Sequence, residues 1–272
     1  MARPRPAGAD LVAAADTSPP EHRQRGHAVR MDWGLVGARA LVADARPGDV
    51  AVVVDVLSFT TTLCVALERG IEVLPHPWAD GAEEYAAEHG AHLAVGRRAG
   101  LATGSVSLSP ASFERAHGIE RVVLPSPNGS TIAFALASAG VEVVGCCLRN
   151  AAAVAGWVAA RVQTGATVSV VAAGERWPDG SLRPAVEDLW GAGALVAGLA
   201  GRGATRAASP EAEAAAAAYG AVADRMTDAL PDCASGRELV ARGFAADVAI
   251  AAAVDVTGVV PVWDGEVFRR PS

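Results

Sequence analysis

The stretch VAVVVDVLSFTTTLCVALERG, residues 50–70, decides the fold class. It begins as a run of valines, apolar on both faces of a strand, and it ends as a helix rich in Ala and Leu. A short hinge with several hydroxyl side chains lies between the two. A strand that is buried on both faces and leads into a helix is typical of a parallel sheet covered by helices.

A second stretch repeats this arrangement. RVVLPSPNGSTIAFALASAG, residues 121–140, reads as a buried strand, a hinge of Pro, Ser, Asn and Gly, and a helix. Two hydroxyl-rich corners in one chain predict two loops that face one site.

The rest of the chain alternates between short β-branched runs and Ala-rich helical runs. Further strands are predicted over residues 71–74, 92–95, 141–147, 167–172 and 259–263, and further helices over 81–89, 151–162, 187–200, 211–230, 236–242 and 246–254. The predicted fold is therefore a three-layer α/β/α structure with a largely parallel or mixed sheet, in which the repeated corners allow two similar halves. Several interior glycines in the helix over 187–200 predict a close approach of its backbone to the sheet or to a ligand.

Composition sets the domain organisation. Residues 1–30 are rich in Arg, Pro and Ala without the apolar core of a signal peptide, and they are predicted to form a disordered extension, with Met31 near the start of the folded unit. Residues 31–272 are predicted to form one α/β domain. No apolar run approaches the roughly 20 residues of a membrane span, so no membrane partner is expected.

Charge and cysteine usage narrow the function classes. A formal net charge of −7 argues against a nucleic-acid partner, because binding to the phosphate backbone needs a basic surface. A small anionic ligand is compatible with that charge where local cations outweigh it. The four cysteines lack metal-type spacing and indicate a reduced, cytoplasmic chain.

The two corners are candidate anion sites, because helix N-termini present N–H groups and positive dipole ends there. Ordinary helix capping would also account for these small polar residues. On the first interpretation, the phosphate-binding residues are Thr60, Thr61 and Thr62 at one corner and Ser126, Asn128, Gly129, Ser130 and Thr131 at the other.

Acidic residues provide the candidate metal site. Asp55 follows an apolar strand, where an unpaired carboxylate would be costly, so it needs a metal ion, a phosphoryl group or the N-terminus of the next helix as a partner. Glu187 and Asp188 begin another helix, where they either complement its dipole or join Asp55 around Mg²⁺. Glu175, at another strand end, is a weaker ligand candidate.

Taken in order, these motifs resemble the 2-phosphosulfolactate phosphatase family over residues 55–261. The family's DVLRATTT appears here as DVLSFTTT over residues 55–62, and its T-NGT-A block appears as SPNGSTIA over residues 126–133. Later blocks are LRNAAA from Leu148, the strand end Ala173 and Gly174, EDLWGAGA from Glu187, and a closing series of Ser235, Leu239, Gly243, Asp247, Val248, Val260 and Pro261.

Three positions depart from the family pattern. Ser58 replaces an Arg, Arg97 stands where a Glu is usual, and Leu108 stands where an Asn is usual. Ser58 and Arg97 are interpreted as a coupled exchange of charge, and the departures favour altered chemistry or an altered substrate.

The resemblance implies a Mg²⁺-dependent phosphatase that converts 2-phosphosulfolactate to sulfolactate on the coenzyme M route. Asp55, Glu187 and Asp188 are the predicted catalytic and metal-binding residues, and either a metal-bound water or Asp55 itself attacks phosphorus. The candidates for binding the substrate's acid groups are Arg97, Arg98, Arg149 and Arg176. Two alternatives stay open: a phosphatase acting on another small phosphorylated hydroxy-acid, and a non-catalytic anion-binding relative.

Overall fold

The core of the molecule is a nine-stranded sheet within the residues that the computed structural model describes, 18–77, 80–204 and 208–271. Its strands lie in the order β1-β7-β2-β6-β10-β11-β3-β5-β4, and β8 and β9 form a separate two-stranded ribbon. The strands are β1 Val29–Trp33, β2 Val50–Val54, β3 Glu72–Pro77, β4 His92–Leu93, β5 Arg121–Ser126, β6 Glu142–Cys146, β7 Val168–Ala172, β8 Glu175–Arg176, β9 Leu182–Arg183, β10 Val262–Trp263 and β11 Phe268–Arg269.

The sheet consists of two parallel blocks that run in opposite directions. Strands β1, β7, β2 and β6 are parallel to one another, as are β3, β5 and β4. The hairpin of β10 and β11 pairs antiparallel with β6 on one side and with β3 on the other. The predicted α/β class is confirmed, and the sheet is mixed.

Helices cover both faces of the sheet and give three layers. Along β2, Val52 and Val54 pack in one core with α7 and α8, whereas Val53 packs in a second core with α1, α2 and α6. The helices are α1 Gly34–Val42, α2 Phe59–Glu68, α3 Ala82–Glu88, α4 Arg97–Thr103, α5 Pro110–Glu114, α6 Gly129–Ser138, α7 Ala151–Gln163, α8 Val186–Ala200, α9 Pro210–Gly220, α10 Met226–Asp232, α11 Ala234–Ala241 and α12 Ala245–Ala252. No helix within the described ranges is long and apolar enough to cross a membrane.

The glycines of α8 allow close packing, as predicted. A Cβ on Gly191 would lie 2.7 Å from the side chains of Val54 and Val56, so this helix lies directly on the end of β2. A Cβ on Gly193 would clash with the backbone of Ala215 in α9. Glycine lowers the intrinsic helix propensity of α8, but its lack of a side chain allows the helix to contact the sheet and a second helix.

The N-terminal boundary differs from the prediction. Residues 1–17 lie outside the described residues, but Val29 is already buried in β1, which pairs with β7 and contains Met31. The predicted limit of the extension at residue 30 is therefore wrong. The sequence VRMDW alternates polar and apolar residues over a short edge strand, which is a weak periodic signal.

Two other predicted elements are shorter than expected. The helix predicted over residues 211–230 is divided into α9, a 3₁₀ turn at Ala223–Arg225 and α10. The strand predicted over 259–263 is reduced to β10. The second change matters for the site, because β10 is the strand at which the sheet reverses direction.

Candidate active site

Asp55 lies at the point where two helices begin. Its strand ends at Val54, and its side chain is 7% exposed. The carboxylate Oδ1 accepts a hydrogen bond from the backbone N–H of Phe59, and Oδ2 accepts one from that of Gly129, both at 3.0 Å. Phe59 and Gly129 are the first residues of α2 and α6, so both helix dipoles favour the ionised carboxylate.

Gly129 is required for this meeting of the two corners. A Cβ at this position would lie 2.7 Å from Asp55 Oδ2 and would overlap the ring of Phe59. The corners belong to blocks of opposite direction, so they do not share a sheet edge. They meet because α6 packs against β2. The two corners thus meet at Asp55 although their strands run in opposite directions.

The threonines of the first corner do not face a ligand. Thr60 Oγ1 donates to the carbonyl of Asp55 and Thr61 Oγ1 to that of Val56, each at 2.7 Å. The hydroxyl of Thr62 is buried with no hydrogen-bond partner in the described part of the chain. All three residues are fully buried. These hydroxyls satisfy backbone groups at the strand end or lie in the core, which does not support their predicted role in phosphate binding.

The hydroxyls of the second corner behave similarly. Ser130 Oγ donates to the carbonyl of Leu124 at 3.0 Å, and Thr131 Oγ1 approaches that of Ser126 at 3.5 Å. Ser130 is fully buried and Thr131 is 8% exposed. The hydroxyl of Ser130 therefore satisfies a backbone group rather than lining the cleft, and the binding of phosphate by these two side chains stays a prediction. Ser126 differs, since it also lines a cleft in front of Asp55.

Asn128 is the N-cap residue of α6, but its side chain does not cap the helix. Its Nδ2 donates to Glu175 Oε2 and its Oδ1 accepts from Arg176 Nε, both at 3.2 Å. Capping therefore does not account for this residue. It links the second corner to the β8–β9 ribbon, on which Glu175 and Arg176 lie.

A cleft of about 290 Å³ opens in front of Asp55. Cations outnumber acids in its lining, so it suits an anion despite the acidic chain. The charged lining residues are Asp55, Glu175, Glu238, Arg97, Arg176, Arg183 and Arg242, and the polar ones are Ser58, Ser126, Asn128 and Ser235.

Carboxylates close to the cleft have raised pKa values. Burial raises the pKa of Asp55 to about 6, and the charge of Glu187 adds to this effect, while the two helix N–H groups oppose it. Burial and the charges of Asp55 and Glu187 raise the pKa of Glu175 to about 7. The acids thus repel one another, and a bound cation would relieve that repulsion.

Glu187 and Asp188 lie close behind Asp55 but not in the lining of the cleft. Asp188 accepts the backbone N–H groups of Val56 at 2.7 Å and Gly174 at 2.8 Å, so both oxygens tie together the loops that follow β2 and β7. Burial raises its pKa well above the usual range. Glu187 Oε2 faces the thiol of Cys233 at 3.6 Å, and burial keeps that thiol protonated by raising its pKa to about 12.

The negative charge of these acids suits a bound cation, but the acids do not by themselves form a complete coordination shell. Across the described ranges, no three His, Cys, Asp or Glu side chains are arranged to hold a metal ion. Mg²⁺ needs only one or two carboxylates, with waters and phosphate oxygens as its other ligands. Asp55 and Asp188 each accept two backbone hydrogen bonds, but of these two acids only Asp55 lines the cleft, where a cation could also contact a phosphoryl group.

The four predicted arginines have different positions. Arg97 and Arg176 line the cleft, and Arg98 lines an adjoining groove. Arg149 pairs with Glu68 at 3.1 Å and is not part of the cleft lining, which does not support its predicted role in binding the substrate's acid groups.

Two further cleft arginines were not predicted. Arg183 on β9 donates to Ser235 Oγ at 3.1 Å, and Arg242 follows α11. Neither has a local sequence signal, because the chain brings them to the cleft from distant elements.

Ser58 and Arg97 are in direct contact. Arg97 Nη2 donates to Ser58 Oγ, so the two departures from the family pattern are neighbours in space. Leu108, the third departure, lines the same cleft. All three unusual residues therefore surround one site.

Comparison with known proteins agrees with the motifs. A family model described as 2-phosphosulpholactate phosphatase matches residues 38–266, which include every residue that lines the cleft. A 2-phosphosulfolactate phosphatase of Methanothermobacter thermautotrophicus is 32% identical over 222 residues, which cover 80% of this chain and 88% of that protein.

Proposed function

Because the chain belongs to the 2-phosphosulfolactate phosphatase family, we propose that it hydrolyses 2-phosphosulfolactate to sulfolactate and inorganic phosphate. The reaction class, hydrolysis of a phosphoric monoester, follows from the family and from the relative. The substrate is the proposal.

One observation supports the proposal most strongly. Asp55 is a buried carboxylate held by two helix N-termini, and it lines a cleft in which arginines outnumber acids. Phosphoryl transfer needs a fixed oxygen group close to phosphorus and positive charge around the equatorial oxygens. The cleft offers both within one small volume.

We further propose that Mg²⁺ binds at Asp55 and Glu187, with Asp188 holding the surrounding loops. The support is the mutual repulsion of these acids, which a cation would offset. When bound, Mg²⁺ would neutralise charge on the phosphoryl group.

The side chains of this protein have distinct tasks in the reaction. Arg97 and Arg176, predicted from the sequence to bind the substrate's acid groups, line the cleft beside Asp55, and we propose that they bind phosphoryl oxygens instead, with Asn128 holding Arg176 in position. The bond between phosphorus and the ester oxygen breaks, and the leaving alkoxide takes up a proton. Either water attacks phosphorus directly, or Asp55 attacks it and water then hydrolyses the aspartyl-phosphate to release phosphate and restore Asp55. Acid-quenched protein carries phosphoryl label from substrate only if Asp55 is the nucleophile.

A second substrate class is favoured by one specific observation. Ser58, Arg97 and Leu108 depart from the family pattern and all line the cleft, so another small phosphorylated hydroxy-acid is the alternative substrate. A place on the coenzyme M route and a cytoplasmic location stay predictions.

The test is phosphate release from a panel of phosphorylated hydroxy-acids, measured with Mg²⁺ and with EDTA. We expect the largest kcat/KM for 2-phosphosulfolactate in Mg²⁺. A larger value for another acid would support the alternative substrate. Absence of phosphate release from every compound would instead indicate a non-catalytic anion-binding relative.

A further inference from the structure

A second groove, of about 310 Å³, adjoins the cleft that holds Asp55. Arg97, Leu108 and Arg242 line both spaces. Arg98 and the buried ring of Phe244 line the groove alone. A molecule in the cleft can therefore extend into this space, which we call the arginine groove.

Every charged residue that lines the arginine groove is an arginine. Arg242 pairs with Glu238 at 2.7 Å on the surface, while Arg98 is exposed and has no ion pair in the part of the chain that the structure describes. A concave surface of one charge sign concentrates ligands of the opposite sign. In a chain of net charge −7, this is a local site for an anion.

Arg97 is fixed at the junction of the two spaces. Its Nη2 donates to Ser58 Oγ, its Nε lies 3.6 Å from Asp247 Oδ2, and its guanidinium carbon lies 5.8 Å from the centre of the Phe244 ring. Burial lowers its pKa, and the charges of Asp247, Asp55 and Glu175 oppose that shift. The guanidinium is thus ordered before any ligand arrives, which reduces the entropy cost of binding.

Asp247 is itself fixed from a different element. It is 1% exposed, and its Oδ1 accepts a 2.6 Å bond from Ser109 Oγ and a 3.3 Å bond from the backbone N–H of Ala111. These bonds leave its Oδ2 facing Arg97. Asp247 therefore acts as a positioning residue for the guanidinium.

We infer that the arginine groove is a second anion subsite, which binds the carboxylate or sulfonate group of a phosphorylated organic acid while its phosphoryl group lies beside Asp55. This inference rests on the proposed phosphatase function. Leu108 and Phe244 provide apolar contact for the short carbon chain between the two anionic groups. The site selects monoesters that carry a second anionic group.

The test compares two substrates that differ only in that group. Isopropyl phosphate is 2-phospholactate with the carboxylate replaced by a methyl group. The variants are Arg98→Gln and Arg242→Gln, and the control is Arg237→Gln on α11, which lines neither space.

For 2-phospholactate we expect kcat/KM to fall about tenfold or more in both variants, as for the loss of one charge-assisted hydrogen bond. For isopropyl phosphate, Arg98→Gln should leave kcat/KM unchanged, and the control should leave both substrates unchanged. The inference would be overturned if Arg98→Gln lowered kcat/KM equally for both substrates, or lowered it for neither.

A failure of the proposed function gives a different result. If wild-type protein releases phosphate from no monoester, calorimetry with sulfolactate tests the subsite directly. Binding by wild-type protein that weakens about tenfold in Arg98→Gln supports it. Equal binding by both proteins, or none by either, contradicts it.

Discussion

The two corners of this molecule have the same construction, but only one of them carries an acid. Phe59 and Gly129 are 70 residues apart in sequence, and each gives its backbone N–H to one oxygen of Asp55. Thr61 and Thr131, also 70 residues apart, each point a hydroxyl toward a carbonyl five residues earlier. The repeat therefore extends from the sequence to individual hydrogen bonds.

The difference lies in the residues between strand and helix. Pro125 is the counterpart of Asp55 at the same spacing, so the second corner contributes a helix N-terminus and no carboxylate. Ser58 and Asn128 are likewise counterparts, and each contacts a different cleft arginine. The hydroxyls shared by both corners contact the backbone of the turn, whereas Asp55, Ser58 and Asn128, at positions where the corners differ, line the cleft.

The largest effect is expected from removing the metal ion that we propose for Asp55 of the first corner. Excess EDTA should abolish phosphate release and Mg²⁺ should restore it, because the phosphoryl charge and the acids around Asp55 both need a counter-ion. Full phosphate release in EDTA would contradict the proposal that Mg²⁺ binds at Asp55.

Asn128→Ala tests the second corner. The variant loses the bonds to Glu175 and Arg176, and kcat/KM should fall by about 10- to 100-fold, as for one charge-assisted hydrogen bond. Stability should change little, because the side chain does not cap α6. The matched control is Ser138→Ala at the other end of that helix. A variant that loses stability and keeps its activity would restore the capping interpretation.

Thr61→Val and Thr131→Val compare the shared hydroxyls. Thr61→Val leaves a buried carbonyl unpaired and should cost about 1 to 3 kcal/mol of unfolding free energy. Thr131→Val should cost less, because its 3.5 Å contact is long for a hydrogen bond. Chemical denaturation measures both values, and activity should be unchanged. Loss of activity in a fully stable Thr61→Val would contradict a purely structural role.

The smallest expected effect is a pH dependence of metal stabilisation. The folded-state pKa values of Asp55, about 6, and Glu175, about 7, lie above their unfolded values. Stability from these groups is fully present below the unfolded pKa and is lost as pH rises through 6 to 7. Mg²⁺ should therefore raise Tm more at pH 7.5 than at pH 5. Equal shifts in Tm at the two pH values would contradict a metal site at Asp55.

The sequence carries enough information for the fold class and for Asp55. The valine run of β2 has no polar face, so burial on both sides follows from composition, and an acid directly after it needs a partner. The change of strand direction within the sheet could not be predicted from the sequence, because β10 and β11 have two residues each and are too short for a periodic pattern.

The direction of the corner hydroxyls and the cleft arginines were also beyond sequence reasoning. A Thr before a helix can face a ligand or its own backbone, and only the packing of α2 decides that Thr60 and Thr61 do the second. Arg183 and Arg242 reach the cleft through the placement of the β8–β9 ribbon and α11, which no local pattern records.

The most direct test of the central claim compares two buried acids at the two ends of β2. Asp49 precedes the strand and Asp55 follows it, and each accepts two backbone N–H bonds. Each of Asp49→Asn and Asp55→Asn leaves one backbone donor unpaired, which costs about 1 to 3 kcal/mol. Asp49→Asn should lose more stability at neutral pH, because backbone hydrogen bonds lower the pKa of Asp49 against the effect of burial, whereas burial raises the pKa of Asp55.

Phosphate release from 2-phosphosulfolactate should separate the two variants. We expect Asp49→Asn to keep the wild-type rate and folded Asp55→Asn to lose about a thousandfold or more. Wild-type turnover by a folded Asp55→Asn would contradict the assignment of Asp55 as the reacting centre of this cleft.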